Sequence, residues 1–146
     1  MHCFVLTHRI VKGQPATVEM KLEVVQVPVS DVDRARNFYS DQLGFNVDVD
    51  RVVPGGMRVV QLTPPGSDCS IQLVEDGDPQ RGLTLVVSDI VAVHAELTQL
   101  GAPLSDIVHF EDGRQVPGHS DEPWSSMVFC SDPDGNKWIM QERPAG

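Results

Sequence analysis

The sequence predicts an α+β domain made of two βαβββ modules that together form a cupped, mixed sheet. Three observations predict it. A short motif near residue 30 returns near residue 88, a β-branched run precedes each copy, and a helical stripe ending in glycine follows each.

The recurrence is direct. Val29-Ser30-Asp31-Val32 returns as Val87-Ser88-Asp89-Ile90, 58 positions on, and Leu43-Gly44 returns as Leu100-Gly101, 57 positions on. A period this long, present twice, points to a paired-module domain rather than a solenoid. The runs Leu22–Val29 and Leu83–Val87 suit a pleated, buried surface. Ser30 or Asp31 then offers an oxygen to the first free N–H groups of a helix, and Ser30 with Asp33 matches a capping box with Asp in place of Glu. Val32, Ala35, Tyr39 and Leu43 share one helical face, as do Ile90, Val93, Leu97 and Leu100. Gly44 and Gly101 sit where a left-handed helix cap is expected.

Shorter strand runs follow each helix. In the first half these are Phe45–Val49, Met57–Thr63 and Cys69–Val74, separated by Pro/Gly-rich turns. In the second half the expected strands are Leu104–Val108, Ser126–Cys130 and Lys137–Gln141, with residues 109–126 read as a long polar loop. Asp132-Pro133-Asp134-Gly135-Asn136 supplies the last turn. The expected organisation is an N-terminal extension over residues 1–19 and a single domain over 20–146, with module one near 20–76 and module two near 82–142.

Composition narrows the function classes. The chain has 146 residues and a net charge of -10, which argues against nucleic acid and anionic membrane as partners, since both need clustered Lys and Arg. Three cysteines, Cys3, Cys69 and Cys130, without a C-x-x-C pair, disfavour a disulfide framework or a cysteine-based zinc site and suit a reducing cytoplasm. No apolar run approaches the roughly 20 residues that cross a bilayer. No Ser-His-Asp pattern, phosphate loop or dinucleotide fingerprint is present.

Three segments resemble the vicinal oxygen chelate superfamily, which includes glyoxalases, bleomycin resistance proteins and extradiol dioxygenases. Val27–Tyr39 resembles its first strand and helix, Gln42-Leu43-Gly44-Phe45 the helix end, and Ser131–Trp138 the final turn and strand. The resemblance covers about residues 20–142. It implies a divalent metal held by His, Glu or Gln at four inward positions, which here fall on Val24, Gln72, Leu83 and Ile139. Hydrocarbon side chains carry no lone pair to give, so the expected cofactor is none, and metal-dependent chemistry of the family is in doubt.

Period-two counting places Val24 with Gln26, and Ile139 with Gln141, on one side of their strands, with Gln72 on the matching side of the fourth; together with Leu83, carried over from the resemblance, and Gln61, whose facing depends on register, they form an expected apolar pocket with a few neutral polar points. Trp124, in the polar loop, offers flat apolar area for covering a ligand. His109 and His119 in the same loop are candidate acid–base groups or ordinary surface histidines. Two functions remain open. One is a metal-free protein that sequesters a small organic molecule or antibiotic, as a homodimer by resemblance to bleomycin resistance proteins. The other is a lyase, isomerase or dioxygenase that uses a relocated metal or histidine chemistry.

Overall fold

Both recurrent motifs begin a helix, and the same atom does it each time. In the computed structural model, which describes residues 18–145, the Asp31 carboxylate accepts from the Arg34 N–H and the Asp89 carboxylate from the Ala92 N–H, both at 3.0 Å. The extension expected at the N-terminus lies, up to residue 17, outside the described residues. Strand β1 (Val24–Pro28) leads into helix α1 (Val32–Asn37), and β5 (Leu83–Val87) leads into α2 (Ile90–Gln99). The expected Ser30–Asp33 capping box does not form. Asp33 instead meets the Arg58 guanidinium at 2.7 Å, and Ser30 donates to Asp134.

The first helix does not stay α-helical to its end. Phe38–Gln42 winds as a wider π turn, with the Leu43 N–H reaching the Phe38 carbonyl. This lets two consecutive aromatics, Phe38 and Tyr39, both sink into the core. Gly44 and Gly101 follow the helices with φ of 73° and 91°, the left-handed geometry expected of a cap.

Sheet one has the order β1-β4-β3-β2, with β2 at Asn46–Val52, β3 at Arg58–Thr63 and β4 at Ser70–Val74. Sheet two has the order β5-β9-β8-β6-β7, with β6 at Val108–Glu111, β7 at Arg114–Pro117, β8 at Ser126–Ser131 and β9 at Lys137–Glu142. In each sheet the strand before the helix pairs in parallel with the last strand, and the remaining pairs are antiparallel.

Two sequence expectations are corrected in sheet two. Leu104–Val108 is not a continuous strand: Leu104 makes one isolated bridge to Cys130, and regular pairing starts at Val108. The supposed polar loop carries the β6–β7 hairpin. Its turn is Asp112-Gly113, with φ of 49° and 77°. Both turn residues have positive φ, the geometry for which Asp-Gly is favoured in a two-residue hairpin.

One hydrophobic cluster spans both sheets on their helix-covered sides, running from Val27, Tyr39 and Leu62 to Ile90, Val128 and Met140. The join between the halves is polar as well as apolar. The Tyr39 hydroxyl donates to Asp132 at 2.6 Å and accepts from the Trp138 indole N–H at 3.0 Å. The Asn136 amide donates to the Pro28 carbonyl and to Asp132 and accepts from the Gln80 N–H, all at 2.7–2.8 Å. Burial first, and then the Asp132 carboxylate, push the Tyr39 hydroxyl far above its ordinary pKa, so it remains a donor. The final Asp-Pro-Asp-Gly-Asn turn therefore docks the second half onto the first.

Candidate functional site

Each sheet is covered by its helix on one face and, among the described residues, left open on the other. On sheet one, Val27, Val60, Leu62, Ile71 and Leu73 are buried beneath α1, so alternation turns Val24, Gln26, Ser70, Gln72, Gln61 and Thr63 outward. Register then sets them in rows. Gln26 pairs with Gln72 across β1 and β4, and Gln72 pairs with Gln61 across β4 and β3. The result is a line of three carboxamides on adjacent strands, spaced by about 4.8 Å. No protein hydrogen bond engages any of the three side chains among the described residues, although the Gln26 main-chain carbonyl accepts from Gln80. Beside this row the Thr63 and Ser70 hydroxyls meet at 2.6 Å, and Thr63 also donates to Asp48.

The equivalent row of sheet two is Thr84, Ile139 and Phe129, paired across β5, β9 and β8. Val86, Gln141 and Met127 form the next row. Val86 is 50% exposed, and Val24 on the other sheet 38%. A cleft of about 610 Å³ opens beside Ile139, bordered by Gly82, Pro103, Ser105, Phe129 and Lys137. Its volume lies in the range of small-molecule sites.

Leu83 is not part of that face. It pairs with Trp138 and packs on the core, while Thr84 stands beside Ile139. The reason is strand parity: one residue along a strand reverses the side chain. The repeat offset of 58 carries the signal, since it maps Val25 onto Leu83 and Gln26 onto Thr84. Counting back from Asp89 by six loses that parity. A slip of one residue offered Thr84 from the sequence, and Val86 was missed because β5 is apolar on both faces apart from Thr84; Met127 and Phe129, on β8, were not among the predicted lining.

The two histidines also lie away from the glutamine row. His109 pairs with Ser126, on the core-facing parity of β8. Its Nδ1 lies 2.7 Å from the Gly118 carbonyl and its Nε2 3.2 Å from Glu111. Acceptors at both nitrogens favour the imidazolium, and the Gly118 carbonyl is the larger cause of the raised His109 pKa. His119 Nε2 sits 2.7 Å from Glu142 Oε1, while Glu142 Oε2 accepts the Ile90 N–H at the start of α2. A cavity of about 290 Å³, bordered by Ser88, His119, Glu142 and Arg143, lies there.

Residues Gln141 and Glu142 point to opposite faces, and each grips the 118–125 segment. Gln141 donates to the Trp124 carbonyl at 2.8 Å, and Glu142 holds His119. Trp124 is 47% exposed and has φ of 64°. It occupies the third position of a turn closed by the Ser125 N–H to the Glu122 carbonyl, with Pro123 second. Glycine is the usual occupant of that left-handed position, so an indole there is strained.

The metal positions implied by the family resemblance do not suit a divalent ion. Val24 and Ile139 are hydrocarbon, Gln72 is a neutral amide, and Thr84 replaces Leu83 with a hydroxyl. Among the described residues, no group of three His, Cys, Asp or Glu side chains is placed to hold a metal ion.

The sequence matches the Glyoxalase/Bleomycin resistance protein/Dioxygenase superfamily over residues 21–140. The chain belongs to that superfamily. Among solved structures, the antibiotic binding protein TnmS3 from Streptomyces sp. CB03234 is 29% identical, with a TM-score of 0.68 over 88% of this chain and 99% of that one. A glyoxalase/bleomycin resistance protein from the same organism is 31% identical, with a TM-score of 0.64 over 83% and 99%. A superfamily member from Sphaerobacter thermophilus DSM 20745, at 24% identity and a TM-score of 0.66 over 86% and 98%, shares the fold. No curated protein matches the chain by sequence. No helix among the described residues of this superfamily member is long and apolar enough to cross a membrane.

Proposed function

We propose that this glyoxalase-superfamily protein binds and sequesters a small organic molecule without a metal, in a reducing cytoplasm. The observation that carries the reading is the chemistry of the open faces. Of the four positions where a metal-dependent member places its ligands, Val24 and Ile139 are hydrocarbon, Thr84 offers a hydroxyl and Gln72 a single neutral amide, and a cleft of about 610 Å³ adjoins Ile139. Likeness to an antibiotic binding protein supports the same reading. Val24, Gln26, Gln61, Gln72, Ile139 and Gln141 are the proposed contacts, with Trp124 at the rim. The reading includes a homodimer, in which the uncovered faces bearing Val24 and Val86 lose their exposure.

The test is thermal unfolding of chelator-treated protein against a panel of aromatic antibiotics. A binder present at a hundredfold excess over Kd adds about 2.7 kcal/mol of stability. Binding that disappears with chelator and returns with a stoichiometric divalent ion would overturn the metal-free reading. A second reading, acid–base catalysis, rests on the 2.7 Å His119–Glu142 pair beside its own cavity. Metal-independent turnover of a carbonyl substrate that is lost in His119→Ala supports it; unchanged turnover in that variant removes it.

A further inference from the structure

Within the binding role proposed above, on which this step rests, we infer that the cleft beside Ile139 takes a small organic carboxylate, its charged end met by Lys137 and Ser131. Every residue that carries the inference borders the same cleft of about 610 Å³. Phe129, Ile139 and Pro103 supply hydrocarbon there, and Gly82 adds no side chain. Among the described residues Lys137 is the only charged side chain on the border, and no Asp or Glu stands beside it. An apolar hollow with one cation at its rim complements an anion on a hydrocarbon body. Register puts the two donors together. Ser131 pairs directly with Lys137 across β8 and β9, and residues so opposed hold their Cβ atoms about 5 Å apart on one face. Two positions along, Phe129 pairs with Ile139 on that same face. A carboxylate between the donors therefore leaves its hydrocarbon over Phe129 and Ile139.

Both donors are uncommitted. Among the described residues neither the Ser131 hydroxyl nor the Lys137 ammonium has a protein partner. The other hydroxyl at the cleft is spent: Ser105 Oγ accepts the Phe129 N–H at 2.8 Å and donates to the Asp106 carbonyl at 3.0 Å. The carboxylates nearest in sequence are turned elsewhere. Asp132 is buried in the seam with Tyr39 and Asn136, and Asp134 accepts from Ser30 and Arg34. A ligand carboxylate thus displaces no internal counter-ion. The net charge of -10 repels anions from afar, but salt at physiological strength screens that field beyond about 8 Å, whereas Lys137 acts at contact. Lys137 and Ser131 are exposed, so the head group contributes a modest factor, about fivefold in affinity.

Titration of the whole chain with octanoate, octanamide and the octylammonium ion, followed by backbone amide NMR, tests the assignment. Octanoate is expected to bind about fivefold tighter than octanamide, and tighter than the ammonium ion, and to shift the Gly82, Phe129 and Ile139 amides. Lys137→Gln should bring octanoate down to the octanamide level and leave octanamide unchanged, while Lys137→Arg keeps the preference. Ser131→Ala serves as a second variant and should weaken octanoate about twofold. A preference for octanoate that survives Lys137→Gln overturns the assignment, as do shifts confined to residues outside the cleft. If octanamide or octylammonium shifts the same amides at equal or lower concentration, the carboxylate class fails while binding in the cleft stands. If none of the three shifts them at millimolar concentration, the class fails, and the chelator-treated antibiotic panel alone judges the wider reading.

Discussion

The two sheets carry the same row in opposite chemistry. In sheet one it reads Gln26, Gln72, Gln61; in sheet two, at the same strand positions, it reads Thr84, Ile139, Phe129. One residue away, on the helix-covered side, the halves agree: Val27, Leu73 and Val60 in one, Leu85, Met140 and Val128 in the other, all in the shared cluster. The core-facing rows must exclude water, so only apolar side chains persist there. The open rows lie outside that cluster, so their composition is not held to apolar side chains. A duplicated backbone thus carries three amides in a row on one sheet and Thr, Ile and Phe in the matching row of the other.

The halves are compared most severely by cutting what joins them. Asn136 is fully buried and satisfies the Pro28 carbonyl and the Gln80 N–H. Asn136→Ala leaves both without that partner and should lower unfolding free energy by about 2–4 kcal/mol. Urea denaturation followed at Trp138 and by circular dichroism would show both sheets lost in one transition. Two separate transitions would break the idea that the seam binds them.

Tyr39→Phe removes a milder part of the same seam. It strips one donor from Asp132 and the acceptor from the Trp138 indole, and a loss of about 1–2 kcal/mol is expected. A variant as stable as the parent would mean that the aromatic contacts, with Tyr39 and Trp138 centroids 5.7 Å apart, carry that side of the seam alone.

Exchanging one residue between the two rows sharpens the contrast further. The double variant Gln72→Ile with Ile139→Gln should stay within about 1 kcal/mol of the parent, because both side chains face outward from the core. A much larger loss would show that the open rows are packed after all.

The smallest effect belongs to a feature that only sheet two has. In the β6–β7 hairpin, the Gly118 carbonyl, and then Glu111, raise the pKa of His109 above its ordinary 6.5. The stability this contributes is fully present below pH 6.5 and is lost as pH rises through the folded value. The Tm difference between the parent and His109→Gln should therefore shrink as pH climbs from 6 to 8. A difference that grows with pH would reverse the assignment.

Much of this was legible from side-chain pattern. The doubled Ser-Asp motif located both helix starts, and Gly44 and Gly101 located both ends, because caps are local hydrogen-bond and backbone requirements. Gln26, Gln72 and Gln141 were placed on the open face by alternation, while the facing of Gln61 waited on the register of β3. The β6–β7 hairpin was missed although Asp112-Gly113 announces it, since the flanking residues, His109 to Val116, are too polar to read as strand. Leu83 was misplaced by one residue because β5 is apolar on both sides and gives alternation almost nothing to count. No pattern hinted that His109 and His119 would fall on the helix side, tied to Gly118 and Glu142.

By itself, then, the sequence determined the duplicated α+β plan, through short-range periodicity and capping, and the family, through the resemblance of three of its segments. Only the tertiary structure decided that Gln26, Gln72 and Gln61 stand side by side, that Thr84 rather than Leu83 joins Ile139, and that Asn136 locks the halves together. Those facts depend on strand register and on contacts across about 50 to 100 residues of chain, such as Gln80 with Asn136 and Pro28 with Asn136. Register is fixed by the packing of a whole sheet, which no local run of residues encodes.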